Sequence, residues 1–237
     1  MKSSSSSDVS SVNGLEDTPR KSATRPKKGR KTRAEKTEES RRRLMNAAAS
    51  LIGEEGYARA TIAKITARAE LSLGSFYNYF ENREDLFQQL LPQMGEDLQS
   101  YIAKRVTGIT DPLREEEVGL NAFLDFVIEN EGFYRILNEA ETVVPDAYRR
   151  HFDNISSGYV RALRRHKAAG HLLGYDSSEF DCLVYMLMAA RNYLVMRYGP
   201  EGLGRPELRR QITRTYMKFV SGGLLYEPDG NGRSHCA

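Results

Sequence analysis

Cysteine is nearly absent from this chain of 237 residues: Cys182 and Cys236 are the two it has. Two thiols make no disulfide framework, and neither stands at metal-ligand spacing from another candidate ligand. No run of about 18 apolar residues occurs, so no membrane-spanning helix and no membrane partner are expected. The most apolar stretch, Cys182–Met196, is interrupted by Arg191 and Asn192. The opening Met1-Lys2-Ser3-Ser4-Ser5 lacks the apolar core of a secretion signal, which points to a reducing, cytoplasmic compartment. Catalytic signatures are missing too. The four histidines, His151, His166, His171 and His235, include no His-x-x-x-His pair. There is no glycine-rich phosphate loop and no nucleophile motif, and Glu139 and Glu141 are two apart, so they face different sides of a helix. The expectation is a protein that is not an enzyme and holds no metal or cofactor.

What is present is an ordinary globular composition, 40% hydrophobic and 28% charged, with the charge unevenly spread. Residues 1–36 carry ten Lys/Arg against four Asp/Glu, whereas the remaining 201 carry 25 against 28. Within Arg20–Lys36 there are nine basic residues and one acidic residue, Glu35. Such a block repels itself and seeks a polyanion. With Pro19, Pro26 and almost no large apolar side chains, residues 1–36 read as a disordered basic tail, either a solubilising segment or an arm that contacts nucleic acid.

From Thr37, a candidate helix cap, helical spacing dominates. Leu44, Ala48, Leu51 and Ile52 form the first stripe, and Gly56 stops it. Short helices over Thr61–Ala69 and Ser72–Tyr79 follow. Longer ones open at Asn82, at or near Pro112, at Pro145, at Ser177 or Ser178, and at Pro206, with a short one over Glu131–Glu139. No convincing alternating strand appears. The fold class is all-α, about nine helices. They divide into an N-terminal three-helix helix-turn-helix domain (37–91), a larger C-terminal helical bundle (92–226) and a tail (227–237).

The helix-turn-helix reading rests on two adjacent short helices. Thr61 caps the first, with Ile62, Ile65 and Ala69 facing inward, and Glu70-Leu71 makes the turn. Ser72 caps the second, with Phe76 and Phe80 on its inner face. Its outer face keeps Leu73, Gly74, Ser75, Tyr77, Asn78 and Tyr79: small at the start, polar and aromatic, with little charge. Hydroxyls and amides of that kind bond phosphates and base edges at close approach.

The block from Gly56 to Phe80, followed by Asn82-Arg83-Glu84-Asp85-Leu86, resembles the DNA-binding domain of TetR-type transcriptional regulators over about residues 40–91. The resemblance implies phosphate contacts by Thr61 and Arg83 at helix starts, with Ser72 beside them. It implies backbone contacts by Tyr77 and Tyr79, and base-facing positions for Leu73, Gly74, Ser75 and Asn78. Glu70 stands where the family often has glycine, so a left-handed residue there would cost about 1–2 kcal/mol. Leu73 stands where a polar residue is common, which leaves it a thymine-methyl contact.

The same resemblance implies that the C-terminal part binds a small effector and dimerises through its last two long helices, about Ser178–Tyr198 and Pro206–Gly222. The first of these is apolar nearly all round, which calls for cover on every side. Leu183, Leu187, Leu194, Ile212 and Phe219 are the candidate dimer contacts. Phe126, Phe133, Tyr134, Asn138, Tyr185, Asn192 and Tyr193 are the candidate effector contacts, for a largely apolar or aromatic ligand. Arg135, Glu139 and Glu141 read as solvated. Pro92, with Gly95 three residues on, predicts a kink in the helix from Asn82 and a candidate hinge. The resulting function is a sequence-specific transcriptional regulator, a ligand-released repressor on an inverted-repeat, double-stranded DNA operator, acting as a homodimer. The alternative is a DNA-binding structural or cell-division factor of the same fold with no effector. A filled C-terminal core would favour the alternative, and an enclosed pocket the repressor.

Overall fold

The computed structural model describes residues 32–172 and 174–224. The basic residues 20–31 and the tail 227–237 lie outside them. Among the described residues there are nine α-helices and no strand. They are α1 Arg33–Glu55, α2 Ile62–Arg68, α3 Leu73–Phe76, α4 Arg83–Val106, α5 Pro112–Glu129, α6 Phe133–Val143, α7 Pro145–Ala168, α8 Phe180–Leu203 and α9 Pro206–Leu224. No described helix is long and apolar enough to cross a membrane.

Local chemistry sets most boundaries. Thr61, Ser72, Asn82 and Asp111 each accept a backbone N–H from three residues on, and Pro112 and Pro145 occupy first-turn positions. Two starts differ from the sequence reading. The first helix is capped by Thr32, not Thr37, so Arg33–Lys36 belong to α1. Thr32 Oγ1 accepts the Glu35 N–H at 3.2 Å while the Glu35 carboxylate takes the Thr32 N–H at 2.7 Å. Thr37 has Ser40 three residues on and cannot form this reciprocal box, and its hydroxyl donates to the Arg33 carbonyl instead. Likewise α8 starts after Glu179, whose carboxylate receives the Asp176 N–H at 2.6 Å; Ser177 and Ser178 lie in the preceding turn. Gly199, at φ +62°, breaks the end of α8 as a glycine there should.

Helices α1–α3 and the start of α4 share one core around Leu44, Ile52, Tyr57, Ile65, Phe76, Phe80 and Phe87. Beyond it, α4 lies along α5 and α7, α8 packs on α5 and α7, and α9 covers α5 and α8. Helix α6 bridges the two parts, touching both α1 and α7. The bridge is tight: a Cβ on Gly53 of α1 would sit 2.5 Å from the Cα of Gly132 at the head of α6.

Helix α4 runs unbroken through Pro92. The Gln88 carbonyl, which loses its helical donor to the proline ring, accepts from Arg150 of α7 at 3.0 Å. Gly95 has a packing role, since a Cβ there would meet His151 Nδ1 at 2.6 Å.

The all-round apolar helix α8 is divided between inside and outside. Phe180, Val184, Leu187, Arg191 and Val195 face the chain's own core, and Leu183 and Leu194 are half-buried against it. Leu187 and, on α9, Ile212, expected as dimer contacts, are instead buried in the chain's own core, Leu187 on the helix that α5 and α7 pack against and Ile212 on the helix that α5 and α8 pack against. On α8 the exposed large apolar side chains are Tyr185, Met186, Tyr193, Met196 and Tyr198, and α9 exposes Phe219 at 72%.

Candidate functional site

The outer face of α3 is built by its neighbours. Phe76 and Phe80 are buried in the core and α3 packs against α2, leaving Leu73, Gly74, Tyr77 and Asn78 exposed and Ser75 and Tyr79 half-buried. The helix is shorter than its sequence pattern suggests. Past Phe76 the chain makes a tight turn, with Asn78 N–H on the Ser75 carbonyl at 3.3 Å and Tyr79 N–H on the Phe76 carbonyl at 3.0 Å. Tyr77 stands edge-on to Phe76 and is 57% exposed. Thr61 Oγ1 accepts the Lys64 N–H at 3.3 Å, so its own proton remains to donate outward. The Ser72 and Ser75 hydroxyls bond each other at 2.8 Å. Arg83 lies over the Phe87 ring and near the Glu84 carboxylate, a loose exposed pair that leaves donors free.

The turn before α3 forms a two-bond cap. Leu71 N–H reaches the Thr66 carbonyl at 2.9 Å and Glu70 N–H the Ala67 carbonyl at 3.1 Å. Glu70 adopts φ +52° to close it, the left-handed state that glycine takes without strain.

Arg135 and Glu139, at 39% and 34% side-chain exposure, are part-solvated but also tied down. Arg135 Nη1 donates to the Glu54 carbonyl at 2.9 Å, at the negative end of α1. Its Nε holds Glu139 Oε1 at 2.7 Å, and Glu139 Oε2 accepts the Tyr57 N–H at 2.9 Å. Burial raises the Glu139 carboxyl pKa, but Arg135 and the Tyr57 N–H outweigh it and hold it below the usual range. The pair thus fastens α6 to the end of α1 and to the single 3-10 turn, Tyr57–Arg59, that follows.

Between α4, α5, α6, α7 and α8 lies a cavity of about 440 Å³. Leu98, Ile102, Phe123, Phe133, Leu137, Phe152, Ile155 and Met188 give it apolar walls. Polar side chains also reach it: Gln99, Ser100, Arg161 and Asn192, and a buried set that is tied together. Arg191 Nη2 donates to Glu116 Oε1 at 2.6 Å and to the Tyr159 hydroxyl at 3.0 Å, and the Tyr159 and Tyr216 hydroxyls both donate to Glu116. Burial raises the Glu116 pKa, but Arg191 and the two hydroxyls more than reverse this, so the carboxylate stays charged. At the rim Glu115 holds Arg165 at 2.6 Å and His166 Nε2 at 2.8 Å. No group of three or more His, Cys, Asp and Glu suited to a metal occurs among the described residues.

Residues 44–90 match the sequence profile described as "Bacterial regulatory proteins, tetR family". Over 199 residues the chain is 42% identical to an uncharacterized HTH-type transcriptional regulator of Mycobacterium tuberculosis (strain H37Rv), Rv2912c, covering 82% of this chain and 99% of that one. The chain belongs to the TetR family. It is also 32% identical over 76 residues to the HTH-type transcriptional regulator HbdR of Aromatoleum sp. (strain CIB), a match over 32% of this chain that spans about a third, 33%, of HbdR's length. The crystal structure of a putative TetR-family transcriptional regulator from Rhodococcus sp. shares the fold, with a TM-score of 0.68 over 80% of this chain and all of that one, at 16% identity.

Of the effector contacts expected for this TetR-family chain, Phe133 and Asn192 line the cavity. Phe126 stands one layer behind, edge-on to Phe133 at 5.5 Å, and Tyr134 is half-buried outside the lining. Asn138 is exposed on the outer side of α6, and Tyr185 and Tyr193 are exposed on the outer side of α8, because helical phase turns them away from the faces carrying Phe133 and Arg191. Glu116, Tyr159, Arg191, Tyr216 and His151 are not among the site residues expected from the sequence. The signal for two of them was present. Glu116 sits on the apolar stripe of α5 between Pro112 and Leu120, and Arg191 interrupts the most apolar window of the chain.

Proposed function

We propose that this chain is a ligand-released transcriptional repressor that binds an inverted-repeat operator in double-stranded DNA as a homodimer. The observation that carries the reading is the double duty of α6. Phe133 and Leu137 line the cavity, while Arg135 and Glu139 on the same helix hold the end of α1. A ligand that displaces α6 therefore bears on the domain that presents α3. Its leverage is limited to its difference in affinity for the two arrangements, and a tenfold loss of DNA affinity needs about 1.4 kcal/mol. The cavity favours this reading over a structural factor without an effector. On the DNA, Thr61, Ser72 and Arg83 would meet phosphates, Tyr77 and Tyr79 the sugar-phosphate backbone, and Leu73, Gly74, Ser75 and Asn78 the base edges. Residues 20–31 would add sequence-independent attraction.

Dimerisation would use the exposed apolar side chains of α8 and α9, among them Met186 at 63%, Tyr193 at 64% and Phe219 at 72% exposure. The test is footprinting on DNA flanking the chain's own gene, with sedimentation of the complex. Two chains on one inverted repeat, with half-sites about one helical turn apart or a multiple of it, is the expected result. A single chain on an asymmetric site would refute the dimeric reading, and no protected site would refute operator binding.

A further inference from the structure

His151 is 2% exposed and lines the cavity from α7, its ring tilted 6.0 Å from that of Phe133. Its Nδ1 lies 3.1 Å from the Leu91 carbonyl oxygen. A carbonyl can only accept, so Nδ1 carries the proton and, in the neutral ring, Nε2 carries a bare lone pair. Burial lowers the pKa to about 4, against a smaller opposing pull from the Leu91 carbonyl, so the ring is neutral at ordinary pH. Among the described residues Nε2 has no hydrogen-bond partner, and it is not sealed in as the Tyr57 hydroxyl is. The absence of a Cβ at Gly95 lets the ring sit this close to α4. Nε2 is thus an unpartnered acceptor on a ring that lines the cavity, its orientation set by the backbone.

We propose that the cavity takes a mainly apolar molecule presenting a hydroxyl to His151 Nε2, that is, a phenol or an alcohol with a hydrophobic body. The proposal rests on the reading of this cavity as the effector site. A carboxylate at Nε2 would set lone pair against lone pair, and the buried charges of the lining, Glu116 and Arg191, already neutralise each other. An anion would find a cation at Arg161, which is exposed and has no ion-pair partner among the described residues.

Three probes separate these cases: para-hexylphenol, its methyl ether and para-hexylbenzoate, titrated calorimetrically into the full-length protein. The phenol should bind about tenfold tighter than the ether, the worth of one well-made buried hydrogen bond. His151→Asn, which keeps an amide donor for the Leu91 carbonyl and removes Nε2, should bring that ratio close to one. If that variant does not fold, nitrogen-15 spectra of histidine-labelled wild type give the same answer. An unprotonated Nε2 signal should move on adding the phenol and stay still with the ether. Equal binding of phenol and ether overturns the hydroxyl assignment while leaving the cavity a ligand site. Tightest binding by the benzoate, lost in Arg161→Ala, overturns it in favour of a rim-bound anion. Failure of all three to bind overturns the reading of the cavity itself.

Discussion

Arg150 of α7 lies 3.0 Å from the carbonyl oxygen of Gln88, the acceptor that Pro92 leaves without a helical donor. A second contact, to Gln88 Oε1 at 2.9 Å, holds the guanidinium in place. The proline thus ties α4 to α7 instead of leaving a loose joint. Arg150→Ala should cost about 1 kcal/mol, because the carbonyl loses its donor. Pro92→Ala restores the helical N–H, so Arg150→Ala should cost much less in that background. Urea denaturation of the four proteins in the cycle measures the coupling. Equal costs in both backgrounds would show that Arg150 is not the substitute donor.

The buried ring of His151 makes stability depend on pH. Its folded pKa, about 4, lies below the ordinary value of 6.5, so the unfolded chain binds the extra proton first. Stability contributed by this group is present in full above pH 6.5 and is lost as pH falls toward 4. The loss at the low end should be roughly 3 kcal/mol, and His151→Asn should lack that component. Unfolding curves across this window, compared between the two proteins, provide the check. Parallel pH profiles would place the titration elsewhere.

Glu70 occupies a left-handed turn at φ +52°, with an exposed ion pair to Arg43 as its side-chain contact. Glu70→Gly removes the steric cost and sacrifices little, since exposed pairs contribute under about 1 kcal/mol. The substitution should stabilise the protein by about 1 kcal/mol, read from the denaturation midpoint at unchanged slope. A lower midpoint would mean that the Arg43 contact outweighs the strain.

Much of the N-terminal part was legible because local chemistry determines it. Thr61, Ser72 and Asn82 cap helices in the structure as their positions suggest, and Phe76 and Phe80 are the buried pair that turns Tyr77 and Asn78 outward. Where a competing local signal existed, the better-satisfied one won, as at Thr32 over Thr37. The C-terminal part was less legible because its decisive contacts are long-range. Glu116 and Arg191 are separated by 75 positions, and Tyr57 N–H and Glu139 by 82. Periodicity alone marks a charge on an apolar stripe but not its partner. Nor could it say which side of α8 the protomer covers, which is why Leu187 lies inside and Met186 outside.

That division directs the dimer test. Tyr193→Glu and Phe219→Glu change side chains with 64% and 72% exposure, so each protomer should keep its fold while self-association weakens by at least about tenfold. Sedimentation equilibrium with circular dichroism separates the two effects. Folded variants that associate as wild type does would move the interface elsewhere. Leu187→Glu, by contrast, should unfold the protomer.

The central claim, that α3 and the turn that follows it read an operator, is tested most directly by fluorescence anisotropy of wild type, Tyr77→Ala and Asn78→Ala on operator and on scrambled duplexes. Tyr77→Ala should weaken binding to both by a similar factor, because a backbone contact carries no sequence information. Asn78→Ala should lose about 1–3 kcal/mol on the operator and little on the scrambled duplex, narrowing the ratio between them. Wild-type affinity and wild-type discrimination in both variants would contradict the assignment of this segment to DNA.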